Sequence, residues 1–421
     1  GLADAVSGLI AALKRAEHEI TVLMPRYYGV DRSRLTPDIP MEVQHGEDRS
    51  VMNLFRTYRY GVNWVFADCE LLYGRDGIYG YVPSEPFADN ARRFAAFSTL
   101  AAEYAARTSP DILHAHDWTA ALSAAVLKER YPELPIATVL TIHNLGYQGS
   151  FSSDWMTTMP FDETAARETH LLEFGHLNFL RCGIATFDEL STVSPRYAQE
   201  IQSPRFGFQL DGMLRDRGGH LTGILNGVDY DEWDPRTDPH LPLPFSAEDP
   251  RPRALIAEQL RSELGLPNRP ETPLIGMVTR LVDQKGVADL VAPSHGCLPE
   301  ILQSKDVQFV ILGTGQPVFE KELTRIATLH EDLAVITRFD EGLAHRIEAG
   351  SDFFLMPSRY EPSGLNQLYS LRYGSLPIVT PTGGLLDSVV DIDRDPNAAT
   401  GIYIPEPLNP ESIALAVKRA L

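Results

Sequence analysis

The feature that most constrains the fold of this chain is a regular alternation of short apolar runs with longer helical patterns. Because strands that alternate with helices pair in parallel and are covered on both faces, the pattern predicts an α/β fold with doubly wound parallel sheets. The predicted strands are 20–25, 63–69, 112–117, 136–143 and 190–194 in the first half, and 274–279, 307–313, 334–339, 353–356 and 377–380 in the second.

A proline-rich stretch divides this pattern into two parts. Six prolines lie between residues 234 and 253, where few apolar positions recur with any period. A chain of 421 residues is also too long for one ordinary domain. We therefore predict an N-terminal domain over residues 1–235, a linker over 236–253, and a C-terminal domain over 254–421.

Composition narrows the possible partners. The formal net charge of −20 argues against nucleic acid and against an anionic membrane. No run of 18 apolar residues and no signal peptide is visible in the sequence. Cys69, Cys182 and Cys297 lie too far apart for a metal motif or a disulfide framework, so a reducing compartment is predicted.

A strand-to-helix turn in the second half carries a single carboxylate among small residues. It reads Pro357-Ser358-Arg359-Tyr360-Glu361-Pro362-Ser363-Gly364-Leu365 and follows the predicted strand 353–356. Glycine lets a backbone approach a ligand closely, and the first N–H groups of a helix have no partner within it. Such a turn can bind phosphate, while Glu361 can accept from hydroxyls. The pattern predicts a site for a nucleotide sugar.

Two further segments are predicted at the same edge of the sheet, where ligands bind in open parallel folds. Thr382-Gly383-Gly384 is a second phosphate-type turn, and Arg280 and Lys285 follow another strand. Two cations there would stabilise a diphosphate, more strongly as it departs with added negative charge. Arg346 and Arg359 lie in the same half and add to the predicted basic concentration. Solvated surface cations are the alternative.

The first half carries polar clusters at two strand ends. One is His114-Ala115-His116-Asp117-Trp118, and the other is His143-Asn144, followed by a glycine-containing loop. A Trp ring can cover the apolar face of a pyranose, and a neighbouring carboxylate can accept from its hydroxyls. The clusters therefore predict a sugar site. The alternative is that these polar side chains only satisfy the hydrogen bonds of the strand end. A metal site at His114 and His116 also stays possible, although the spacing supplies no third ligand.

Other motifs are weaker. The Gly313-Thr314-Gly315 turn is explained equally by tight-turn geometry, and Phe339 at a strand end either covers a nucleobase or packs in the core. Asp-x-Asp spacings at Asp229 and Asp391 are interpreted as solvated carboxylates, so no metal is predicted. The absence of a P-loop motif and of Gly-x-Ser-x-Gly argues against a P-loop ATPase and an α/β-hydrolase.

In order and spacing, these motifs resemble the bacterial glycogen synthases and plant starch synthases. The resemblance extends over segments 1–4, 89–94, 114–118, 141–144, 192–195, 224–229, 280–286, 357–364 and 382–384. It implies two Rossmann-like domains facing across a cleft, the GT-B type. It also implies transfer of glucose from ADP-glucose to the non-reducing end of an α-1,4-glucan, with retention and with no metal or other cofactor. The implied location is cytoplasmic, or the plastid stroma if the source is a plant.

The resemblance also implies roles for individual residues. The expected catalytic group is Glu361, His143, Arg280 and Lys285. Donor contacts are expected from Arg280, Lys285, Ser363, Gly364, Leu365, Thr382, Gly383, Gly1 and Phe339, the last covering the adenine. Sugar and acceptor contacts are expected from Asp117, Trp118, Asn144, Asp4 and Tyr79.

Two departures from the family pattern affect this expectation. Only Gly1 and Leu2 represent the family's Lys-x-Gly-Gly-Leu motif, and a final family helix would follow Leu421. We therefore expect a chain truncated at both termini, with its own activity in question. Two rivals stay open: another retaining transferase of this fold that uses UDP-glucose, and a non-catalytic fragment that binds glucan or nucleotide.

Overall fold

Parallel sheets flanked by helices lie at the centre of both halves of the protein, which confirms the predicted α/β class. The computed structural model describes residues 2–82, 85–304 and 306–421, and these divide into two units, 2–224 and 225–421. The division differs from the predicted boundary at residue 235. The proline-rich segment belongs to the second unit, where the Asp238 carboxylate accepts a hydrogen bond from Tyr373 Oη at 2.6 Å.

The unit formed by residues 2–224 is centred on a parallel sheet with strand order β14-β13-β9-β8 and on a mixed sheet with strand order β1-β5-β4-β2. Its helices are α1 Leu2–Arg15, α2 Glu70–Tyr73, α3 Asn90–Thr108, α4 Ser123–Arg130, α5 Glu163–Glu168, α6 Phe179–Thr186, α7 Pro195–Glu200 and α8 Asp211–Asp216. Its strands are β1 Thr21–Pro25, β2 Thr36–Pro37, β3 Met41–His45, β4 Asp48–Arg59, β5 Val62–Asp68, β6 Gly80–Val82, β7 Glu85–Pro86, β8 Ile112–His116, β9 Ala137–Ile142, β10 Ser150–Ser152, β11 Leu172–Glu173, β12 His176–Asn178, β13 Glu189–Thr192 and β14 Leu221–Gly223.

The antiparallel strands β3 and β4 are not predicted by the sequence pattern. β4 alternates buried and exposed side chains, with Ser50, Met52 and Leu54 facing the core. It joins β5 through Tyr60 and Gly61, both with positive φ, as a two-residue type I′ hairpin turn requires. Since Tyr-Gly is not the usual Asn-Gly or Asp-Gly signal, the hairpin was not recognised.

The unit formed by residues 225–421 contains one parallel sheet of six strands in the order β17-β16-β15-β18-β19-β20. Its strands are β15 Leu274–Val278, β16 Gln308–Leu312, β17 Leu333–Ile336, β18 Phe353–Met356, β19 Leu376–Val379 and β20 Ile402–Tyr403. Its helices are α9 Pro252–Leu264, α10 Val287–Val291, α11 Leu298–Ser304, α12 Pro317–Ala327, α13 Glu341–Gly350, α14 Asn366–Tyr373, α15 Gly383–Ser388 and α16 Pro410–Ala420.

Apolar side chains of this sheet alternate between its two faces, as the strand geometry dictates. Phe309 and Leu355 pack in one core cluster, whereas Val310 and Phe354 pack in the other. Burial on both faces explains why these strands appear in the sequence as continuous apolar runs. None of the described helices combines the length and the apolarity that crossing a membrane requires.

We predict that Phe354→Ala lowers the free energy of unfolding by about 3–5 kcal/mol, because it leaves a cavity beside a central strand. Phe354 is completely buried, whereas Leu415 on α16 is 48% exposed, so Leu415→Ala is the matched control and should change stability by less than about 0.5 kcal/mol. Urea unfolding of the full chain measures both. Equal effects would contradict the assignment of Phe354 to the core.

Candidate active site

The predicted donor residues lie on three loops that leave neighbouring strands. Segments 280–286, 357–364 and 382–384 follow β15, β18 and β19, which are adjacent in the sheet. The loops pack backbone to backbone: a Cβ on Gly286 would lie 2.0 Å from Pro357 O, and one on Gly383 would lie 1.9 Å from Glu361 O. Both glycines also have positive φ, so only glycine suits these positions.

An ion pair between Lys285 and Glu361 joins two of these loops. Lys285 Nζ contacts Glu361 Oε2, which also accepts a hydrogen bond from Ser358 Oγ at 2.9 Å. Glu361 is only 5% exposed. Both contacts are made by Oε2, and no described residue donates to Oε1. The carboxylate is therefore held in place while its second oxygen can accept from a ligand hydroxyl.

Arg280 is connected to the same group through Gln284. Arg280 Nη2 donates to Gln284 Oε1 at 3.4 Å, and Gln284 Nε2 donates to the Tyr360 carbonyl at 3.2 Å. Arg280 is exposed at the end of β15. The structure thus brings Arg280, Lys285 and Glu361 to one edge of the sheet, as the sequence pattern predicted.

The predicted concentration of four basic side chains is only partly correct. Arg359 is paired with Asp289 at 2.8 Å, and Arg346 is paired with Glu263 on α9 at 2.9 Å. Carboxylate partners therefore offset the charge of these two arginines. Sequence spacing gave no signal for either pair, because their partners are distant along the chain.

The segment 361–365 packs directly against the turn at 382–384. Gly384 N donates to the Glu361 carbonyl at 3.0 Å, and a Cβ on Gly384 would lie 2.1 Å from Ser363 O. Gly364 has positive φ and precedes Leu365, the N-cap residue of α14, while Thr382 caps α15. The predicted phosphate contacts therefore come from two segments in direct contact, in which Ser363 and Thr382 are buried. Gly1 lies outside the described residues.

The structure also shows the surroundings of Phe339 and of the Gly313-Thr314-Gly315 turn. Phe339 follows β17, two strands away from β15, and is 87% exposed, so it does not pack in the core. In the Gly-x-Gly turn, Gly313 lies against the Thr279 carbonyl, where a Cβ would come within 1.8 Å. Close packing of strand ends is therefore sufficient to explain that glycine.

In the unit formed by residues 2–224, Asp117 follows β8 with a φ of +55°. Its Oδ1 accepts from the backbone N–H of His143 at 2.7 Å and of Asn144 at 3.4 Å. Burial raises the pKa of the Asp117 carboxyl to about 7, although these two N–H bonds favour its ionised form. The structure thus joins the two predicted strand-end clusters through one carboxyl group.

Three histidines line the same edge. His116 Nδ1 and His143 Nε2 lie 3.0 Å apart, and His114 Nε2 lies 2.7 Å from Thr141 Oγ1. Burial, with repulsion from His114, lowers the pKa of His143 to about 4, and burial likewise lowers the pKa of His116. Burial lowers the pKa of His114 as well, so all three rings are arranged as neutral hydrogen-bonding groups near pH 7.

Trp118 lies in an aromatic cluster rather than on open surface. Its ring centroid is 4.7 Å from that of Phe94 and 5.8 Å from that of Tyr79. Gly149 approaches so closely that a Cβ there would lie 2.4 Å from the indole. Packing contacts therefore cover much of the Trp118 ring, whereas the neighbouring Tyr79 ring is partly exposed. Asp4 is exposed in the first turn of α1.

Two further members of the candidate site, Ser358 and Gln284, are not predicted from the sequence, although both lie beside predicted residues. Polar side chains in the loops that follow the strands are the signal that could identify them. The prediction that Asp391 is solvated is wrong. Asp391 is buried and accepts from the backbone N–H of Tyr403 at 2.5 Å.

Comparisons with known proteins cover nearly the whole chain. Residues 1–216 match the family model described as starch synthase catalytic domain, and residues 260–421 match glycosyl transferases group 1. The chain is 40% identical to the glycogen synthase of Treponema denticola over 422 residues, which are 98% of this chain and 86% of that protein. It is 42% identical to the glycogen synthase of an Anaeromyxobacter species over 431 residues, with 100% and 88% covered.

Solved structures give the same result. The catalytic domain of starch synthase IV from Arabidopsis thaliana, bound to ADP and acarbose, matches with a TM-score of 0.86 and 30% identity, covering 100% of this chain and 88% of that one. A sucrose-phosphate synthase from Thermosynechococcus elongatus matches at a TM-score of 0.59 and 16% identity, covering 100% and 84%, and therefore shares the fold alone. The predicted GT-B fold class is confirmed.

We predict that Asp117→Asn changes how stability depends on pH. Because the folded-state pKa of about 7 exceeds the ordinary value of 3.8, the contribution of Asp117 is complete below about pH 4 and is lost as the pH rises through 7. The variant should therefore gain stability relative to the wild type over this range, by up to about 4 kcal/mol.

Urea unfolding of both proteins at pH 4 to 8 measures the difference. His143 has the opposite sign, since its lowered pKa makes stability rise with pH above about 4, but both proteins share that contribution. Parallel stability curves would show that Asp117 is ionised normally in the folded protein.

Proposed function

Since this chain belongs to the glycogen synthase and starch synthase family of hexosyltransferases, we propose that it transfers glucose from ADP-glucose to the non-reducing end of an α-1,4-glucan. We further propose that the transfer retains the anomeric configuration. The observation that carries the donor assignment is the buried contact of Lys285 with Glu361 beside two glycine-rich turns.

The donor chemistry follows from the charges in this group. Breaking the bond between glucose C1 and the phosphate oxygen adds negative charge to the departing diphosphate. Lys285 and Arg280 would stabilise that charge more strongly than the ground state, which is the condition for catalysis. Glu361 would accept from glucose hydroxyls, and its contact with Ser358 supports a fixed orientation. Glycines at 364, 383 and 384 allow the backbone to approach phosphate.

For retention, we favour attack from the same face as the leaving group. The acceptor hydroxyl oxygen forms the new bond to C1 while the phosphate oxygen leaves. That departing oxygen takes the acceptor proton, so no carboxylate nucleophile is required. In this proposal Lys285 and Arg280 supply the electrostatic stabilisation.

Acceptor and sugar contacts are assigned to the group around Asp117. His143 and Asn144 would contribute through ring, amide and backbone atoms, since their loop is held by the Asp117 carboxyl. Low histidine pKa values support neutral donors and acceptors, which suit uncharged hydroxyls. Tyr79 would add a partly exposed ring beside Trp118.

Adenine as the donor base is supported by the starch synthase IV structure, which was solved with ADP and acarbose. ADP is the nucleotide that ADP-glucose leaves behind. In this chain the exposed ring of Phe339 is the candidate to cover the base. We also propose that the reaction needs no metal or other cofactor and takes place in the cytoplasm, which three unpaired, buried cysteines support.

We predict that Glu361→Gln and Lys285→Met each lower kcat/KM for glucosyl transfer at least about 100-fold, because each removes a charge that acts on the donor. Lys285→Met also leaves the buried Glu361 carboxylate uncompensated, which is expected to cost about 3–5 kcal/mol of stability, and Glu361→Gln should cost less because Lys285 is partly exposed. Label transfer to glycogen and thermal unfolding should be measured on the same samples.

The double variant Lys285→Met/Glu361→Gln separates the two effects, because it removes both charges together. Its stability should recover towards that of the wild type while its activity stays low. Arg325→Ala, which removes an exposed arginine paired with Glu322 on α12, is the matched control and should leave transfer unchanged. Near-wild-type activity in either single variant would refute the assignment.

We predict at least a tenfold preference for ADP-glucose over UDP-glucose when labelled glucose is transferred to glycogen. Measuring glycogen binding on the same sample distinguishes the rivals. A preference for UDP-glucose with a small phosphorylated sugar as acceptor would favour a different transferase of this fold. Glycogen binding without incorporation from either donor would favour a non-catalytic binder.

A further inference from the structure

A second cluster of ligating side chains lies in the unit formed by residues 225–421. It consists of His240, Glu341 and His345, whose imidazole nitrogens and carboxylate oxygen offer ligand atoms within 4.8 Å of one another. Glu341 begins α13 and His345 follows one turn later, so both lie on the same face of that helix. His240 comes from the proline-rich segment, and its Nδ1 would lie 3.2 Å from a Cβ on Gly342.

His345 is the buried member of the cluster, with only 1% of its surface exposed. Its Nδ1 lies 2.7 Å from Asp238 Oδ2, so the carboxylate holds the proton on that nitrogen. The Nε2 atom then carries a lone pair. Among the described residues this buried Nε2 has no hydrogen-bond partner. A buried polar atom without a partner lowers the stability of the folded state by about 1–3 kcal/mol, so a bound ligand would explain why Nε2 is buried here.

Neighbouring side chains hold the imidazole ring of His345 in one orientation. Trp233 stacks on the imidazole with ring centroids 3.8 Å apart and planes within 11°. Tyr369 in turn stacks on Trp233 with ring centroids 3.7 Å apart. Asp238 is held in turn by Tyr373 Oη at 2.6 Å and by the backbone N–H of His240 at 2.8 Å. A carboxylate that orients a histidine whose second nitrogen is available is the usual support of a metal ligand.

We propose that His240, Glu341 and His345 bind a divalent metal ion of the zinc type, with water as the fourth ligand. Two imidazoles and one carboxylate are ligands that zinc takes in tetrahedral sites. Bonds of about 2.0–2.1 Å require ligand atoms roughly 3.4 Å apart. The side chains of His240 and Glu341 are exposed and can rotate to close the remaining distance, whereas His345 stays fixed.

The metal would act as a clamp, distinct from the proposed glucosyl transfer. It would tie the proline-rich segment, through His240, to the first turn of α13, through Glu341 and His345. Glu341 supplies one negative charge to the ion, and the Asp238 carboxylate supports it through His345. The ion should therefore stabilise the folded chain over the unfolded one, since binding depends on bringing these residues together.

The test is titration of the purified, metal-free full chain with ZnCl₂ by calorimetry, with absorption spectra after CoCl₂ addition. One equivalent per chain should bind, give visible Co²⁺ absorption of a tetrahedral site, and raise the unfolding temperature. His240→Ala and Glu341→Gln change exposed side chains, so the fold is retained, and each should weaken Zn²⁺ binding at least about tenfold.

His295→Ala is the matched control, because His295 is an exposed histidine of the same unit whose Nδ1 lies 2.8 Å from Ser294 Oγ. It should bind Zn²⁺ as the wild type does. Asp238→Asn should weaken binding about 10–100-fold through loss of the orienting carboxylate. Absence of stoichiometric Zn²⁺ binding, or equal affinity in the wild type and both ligand variants, would overturn the proposal. Neither result bears on glucosyl transfer.

Discussion

The buried contact between Lys285 and Glu361 is the interaction on which the candidate donor site depends. An ammonium and a carboxylate removed from water are tolerable only as partners with further hydrogen bonds, here from Ser358. The pair therefore forces the loops after β15 and β18 into one arrangement. Glycines at 286 and 383 permit it, because any larger residue would collide with the backbone of the 357–361 segment. Charge and packing thus specify the same geometry.

The group around Asp117 also lies at the carboxyl end of a parallel strand, but its carboxyl group is not paired with a cation. Its carboxyl lies at the carboxyl end of β8 and is bonded to backbone N–H groups rather than to a cation. Burial without a counter-charge raises its pKa to about 7, while it lowers the pKa of His143 to about 4. One unit therefore presents a charged pair at its strand ends, whereas the other presents largely neutral groups.

Sequence patterns predicted the parallel strands closely: the strand expected over 353–356 is Phe353–Met356, and that over 274–279 is Leu274–Val278. Their continuous apolar character is a direct consequence of burial on both faces. The errors have physical causes too. The β4–β5 hairpin lacks the usual turn dipeptide, and the proline-rich segment is ordered by buried hydrogen bonds rather than by periodic packing. Asp391 was judged by its acidic neighbours, whereas its partners come from β20 and α16.

By itself, the sequence determined the α/β class, the strand ends that carry the candidate site residues and the family to which the chain belongs, because these depend on local periodicity and on short ordered motifs. Only the tertiary structure decided which side chains meet. Lys285 and Glu361 are 76 positions apart, and His345 and Asp238 are 107 apart. Partners so distant along the chain leave no local pattern, since their contact arises from the order of strands in the sheet and from the packing of helices beside it.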